Sequence, residues 1–205
     1  MNKASGVIWL LALVAGAGAS AFAAGSGTPI HFMAVIAVTC LVLAILALRE
    51  ILSLANSGAS LSAISAGAAR GMGFVYAWGA LALFATYVFV LPRWHEWPVF
   101  CGAFAVVAAI SFIFAATIAK DAERGKDDET LLKIGRILTI AQFAGTLVAI
   151  VGLLLDPDKQ FLNNGRLDWA AQTIFFFGAI ALAMISAAAL VYTRNRTPLP
   201  TQQAP

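Results

Sequence analysis

His31, His95 and Glu96 are the side chains best suited to hold a metal, since imidazole and carboxylate groups ligate divalent ions. Asp156, Asp158 or Asp168 could complete such a set. The spacing does not support it: no two of these ligand types recur at the short intervals of a metal motif. A haem held by two histidines needs facing imidazoles, and His95 sits between Pro92 and Pro98 in a short loop. The plain reading is two interfacial histidines, with no metal and no cofactor. An outer-face haem- or metal-binding redox protein is therefore the weakest of three functional readings.

A second set is milder. Thr39, Thr86, Thr139 and Gln142 place hydroxyl and amide groups inside apolar stretches. A channel or facilitator for a small neutral solute can be lined by such groups. Proton relays and ion coupling normally use ionisable side chains inside the bundle, and no apolar stretch carries a charge in its interior. Gln142 and Gln172 lie near opposite ends of their stretches, so each is expected to join two helices rather than pair with the other. Catalytic patterns are missing: there is no His-Glu-x-x-His and no phosphate-binding glycine loop with its lysine. The chain is expected not to be an enzyme.

The elements that position these residues are six apolar stretches, near residues 7–24, 30–48, 72–91, 99–119, 137–155 and 169–192. A hydrocarbon core of about 30 Å needs roughly 20 helical residues. Of the 205 residues, 61% are hydrophobic and 11% charged, against about 25% charged in soluble domains. The fold class follows: an all-α, polytopic membrane bundle of six helices in one domain over residues 1–196, with a disordered cytoplasmic tail at 197–205. The first stretch, ending in small residues, also fits a cleavable signal; five spans would then remain. Its length favours retention.

Orientation comes from the basic residues. Threading six spans puts Lys3, Arg49, Arg70, Lys120, Arg124, Lys126, Lys133, Arg136, Arg194 and Arg196 on one side. Only Arg93, Lys159 and Arg166 fall on the other. This bias predicts both termini in the cytoplasm, in a bacterial inner membrane. Trp94, Trp97, Phe161 and Trp169 would form an outer aromatic belt. The net charge of +3 is spread over the loops without a dense stripe, which excludes nucleic acid as a partner.

Three further features bear on packing and partners. Residues 51–70 are rich in Ser, Ala and Gly; they read as an extension of the second span, a turn near Asn56-Ser57-Gly58, then a short helix on the membrane or against the bundle. A flexible linker is the alternative. Phe175-Phe176-Phe177 is expected to meet lipid or a partner subunit. Lys120, Arg124, Lys126, Glu129 and Lys133 belong to the most charged loop, a candidate docking surface. Together with small residues four apart on spans four to six, this favours an accessory, assembly or scaffold subunit, whose partners are the bilayer and other membrane subunits or itself.

Overall fold

In lipid, backbone N–H and C=O groups find no water, so an apolar chain must satisfy them internally; helices do so within one segment. The computed structural model describes residues 3–25, 29–89, 97–124, 128–155 and 169–194. These form six helices: α1 Lys3–Gly25, α2 Pro29–Asn56, α3 Leu61–Phe89, α4 Trp97–Glu123, α5 Glu129–Leu155 and α6 Trp169–Arg194. No strand occurs among the described residues. Each helix is long and apolar enough to cross a bilayer, and the chain is an integral membrane protein. Large side chains such as Leu11, Phe22, Val99, Ile113 and Val148 are exposed around it. That would be a fault in water and is the ordinary surface of a bundle in lipid.

Helix α3 is the axis. It packs on α1, α2, α4 and α6, and more slightly on α5. The core along it holds Ile64, Val75, Trp78, Ala82 and Leu83, meeting Phe32, Ile36 and Leu43 of α2 and Ile174 and Ile185 of α6. Glycines let the backbones close. A Cβ on Gly71 would stand 2.6 Å from the Ala47 Cβ, and one on Gly79 would stand 2.7 Å from the Phe104 ring. Phe104 and Phe112 of α4 thus lie against α3 where it lacks side chains.

The segment at 51–70 extends α2 to Asn56 and turns at Ser57-Gly58 as expected, and departs from its expected form beyond the turn. There is no separate surface helix and no linker: Leu61–Arg70 is the first part of α3 itself. Leu61, Ser62, Ile64, Ala66 and Ala68 are buried. Its low hydropathy reflects small residues facing protein, not residues facing water. The turn before it closes α2 with the Gly58 N–H on the Ala55 carbonyl and the Ala59 N–H on the Leu54 carbonyl. This pattern needs a left-handed residue, and Gly58 has φ +73°. Ser60 then caps α3, its Oγ accepting from the Ala63 N–H at 3.2 Å. Asp128 caps α5 in the same way, accepting from Thr130 and Leu131.

Helix α1 is built into the bundle. Trp9 is 2% exposed and stacks on Phe74 with ring centroids 4.5 Å apart. Its Nε1 donates to Glu50 Oε2 at 3.2 Å. Phe175 also corrects the sequence reading: it packs edge-on against Phe100 and Phe104 of α4 within the bundle, where lipid or a partner subunit was expected.

Candidate functional site

Helices α4 and α5 are the least covered. The buried residues of α4 are Ala108, Ala115 and Ile118; those of α5 are Gly135 and Thr146. The two meet where Phe114 and Ile118 reach Gly135, near the ends joined by the charged loop. Beyond that point α5 leans on α6 and only slightly on α3. Crevices therefore run along its inner side. One, of about 510 Å³, lies between α3, α4, α5 and α6 and is walled by Gly79, Ala141, Gly145, Ala149, Gly178 and Ala179. A narrower one of about 150 Å³ lies between α3, α4 and α5. Tyr76 and Gln142 line both. The Tyr76 hydroxyl donates to Gln142 Oε1 at 2.6 Å, tying the central helix to α5.

Of the four residues read as a polar path, two share these crevices. Gln142 lines both and Thr139 the narrower one. Thr39 and Thr86 line neither. Thr39 stands against Gly16 of α1, and its hydroxyl donates to the Val35 carbonyl; Thr86 is fully buried and donates to the Ala82 carbonyl. Thr139 likewise donates to Gly135. This back-bonding uses each hydroxyl proton within its own helix. The four residues do not form one lining.

A charged centre was missed in the sequence. Glu50, near the end of the second apolar stretch, turns inward. Its carboxylate accepts from Arg70 Nη1 as well as from Trp9 Nε1. The Glu50 and Arg70 side chains are 16% and 20% exposed. One carboxylate thus joins α1, α2 and α3 near the end of the bundle that carries most basic residues. Glu50 and Arg70 each stand ten positions from Ser60, which is the signal that could have paired them. Deeper in, Trp78 Nε1 is buried beside Gly16 without a hydrogen-bond partner among the described residues.

At the basic end, Glu129 and Lys133 pair at 2.8 Å on the exposed face of α5. Lys120 and Arg124 close α4 and are exposed. Lys126 lies outside the described residues, as do His95, Glu96, Asp156, Asp158 and Asp168. His31 is exposed on the first turn of α2. No group of three metal-ligating side chains occurs among the described residues. Cys40 is buried and Cys101 half-buried, and neither is in a disulfide. Trp97, assigned to the outer belt, stacks on Tyr87 at 3.9 Å; Trp94 and Phe161 lie outside the described residues.

Comparison with protein-family models, curated proteins and solved structures finds no match to this chain.

Proposed function

We propose that this membrane protein is a non-enzymatic accessory, assembly or scaffold subunit of a larger membrane complex. We place it in a bacterial inner membrane with both termini in the cytoplasm. The observation that carries the reading is the incomplete packing of α5. A helix whose only buried residues are Gly135 and Thr146 rests mainly on α6, and its Ala141, Gly145 and Ala149 line an open crevice at four-residue spacing. Such small-residue faces let a further helix approach closely, with dispersion as the main gain. Lys120 and Arg124 at the end of α4, with Glu129 and Lys133 at the start of α5, are exposed and offer a polar contact outside the bilayer.

The test is extraction of the full chain with its surrounding lipid into nanodiscs. A photoreactive residue is placed at Val148 on α5, with Phe22 on α1 as control; both positions are exposed. The reading predicts a stoichiometric membrane-protein partner crosslinked from position 148 and none from position 22. Recovery of the chain alone, with only lipid adducts at both positions, contradicts it.

A further inference from the structure

A separate cavity of about 210 Å³ opens at the basic end between α3, α5 and α6. Three cations line it, Lys133, Arg136 and Arg194, against one carboxylate, Glu129. Lys133 is committed to Glu129, which leaves the two arginines as the net positive charge. They come from different helices, about two turns into α5 and at the last residue of α6. The floor is apolar, with Leu61, Ala68 and Ala189. The cavity also shares Ser65, Gly135 and Thr139 with the narrow crevice between α3, α4 and α5, whose further walls include Met72, Ile110 and Phe114. Two guanidinium groups above an apolar slot, at the ends of membrane-crossing helices, match a molecule with an anionic head and a hydrocarbon tail. Guanidinium forks recognise phosphate oxygens in pairs. Basic pockets between spanning helices are where anionic headgroups bind.

We infer that this cavity is a binding site for an anionic phospholipid, its phosphate held between Arg136 and Arg194 and one acyl chain laid along the adjoining apolar crevice. A free phosphate shares the head chemistry but gains nothing from the apolar walls. The crevice therefore selects the lipid.

The test uses the full chain, delipidated in neutral detergent and offered phosphatidylglycerol, phosphatidylcholine or inorganic phosphate, with bound molecules counted by native mass spectrometry. Wild type should retain one phosphatidylglycerol at least about tenfold more tightly than phosphatidylcholine, since each basic residue near the surface contributes measurably to anionic-lipid affinity. Arg136→Gln with Arg194→Gln should abolish that preference, whereas Lys120→Gln, outside the cavity, should keep it. A photoreactive phosphatidylglycerol on wild type should label peptides spanning residues 132–139 and 189–194, a readout independent of how the double variant folds. An unchanged preference in a folded double variant overturns the inference. So does labelling confined to other helices, or inorganic phosphate displacing the lipid at equal concentration.

Discussion

The Tyr76 hydroxyl and the Gln142 side-chain carbonyl lie 2.6 Å apart and join α3 to α5 across a crevice where those helices otherwise touch little. Interhelical hydrogen bonds in lipid contribute about 0.6 kcal/mol on average and up to about 2 kcal/mol. Tyr76→Phe and Gln142→Leu should each destabilise the bundle by about that amount. The double variant should cost no more than the larger single loss, because both remove one interaction. Unfolding in mixed micelles, read as a double-mutant cycle, checks this. Strict additivity would mean that the bond contributes nothing.

The Glu50 carboxylate is shared by Arg70 and Trp9. Truncating one partner of a buried pair costs about 3–5 kcal/mol, and these side chains retain some exposure, so about 2 kcal/mol is expected for Glu50→Ala. Glu50→Ala with Arg70→Met should recover part of that loss, since no charge is then left inside. Thermal unfolding in detergent measures both. Equal stability of Glu50→Ala and wild type would place the pair among exposed ion pairs.

The six spans were legible because lipid demands about 20 apolar residues and the chain supplies six such runs. So were the extension of α2 and the turn near Asn56-Ser57-Gly58; the start of α3 was not. Hydropathy stops near Leu48 and restarts near Met72, while α2 continues to Asn56 and α3 begins at Leu61. Ser62, Ala66 and Ala68 face other helices, where small size matters more than hydropathy. Gln142 stood out as a polar residue in an apolar run, yet its partner Tyr76 lies 66 positions away. Inter-helix register of that kind is not written in any local spacing. The pairing of Glu50 with Arg70 was missed because their burial arises only when the turn at Gly58 folds two helix ends together.

Gly79 faces the Phe104 ring. Gly79→Leu should drive α4 away from α3 and cost about 1–3 kcal/mol, the range of an overpacked core. Gly102, with open space around it, should accept the same change with little loss. Protease resistance of the folded bundle distinguishes the two variants. Equal resistance would show that α4 is not seated on α3 at this point.

Helix α1 contributes Trp9 to the core. Trp9→Ala should cost about 1–3 kcal/mol, below the ~3–5 kcal/mol typical of water-soluble cores, because lipid tails rather than water compete for the site. A chain trimmed after Ala24 should unfold at a lower temperature still, as it also loses the Gly16 contact with Thr39 and Trp78. Calorimetry in detergent gives both values. A trimmed chain as stable as the intact one would make α1 dispensable to the fold.

The orientation proposed for the six spans is tested most directly by labelling single cysteines from one side of intact cells. After native Cys40 and Cys101 are replaced by serine, Ser57→Cys, Gly125→Cys, His95→Cys and Asn163→Cys are treated with a membrane-impermeant maleimide. Positions 95 and 163 should react at once, and positions 57 and 125 only after lysis. Reaction of positions 95 and 125 in the same compartment would contradict a six-span bundle with its basic end in the cytoplasm.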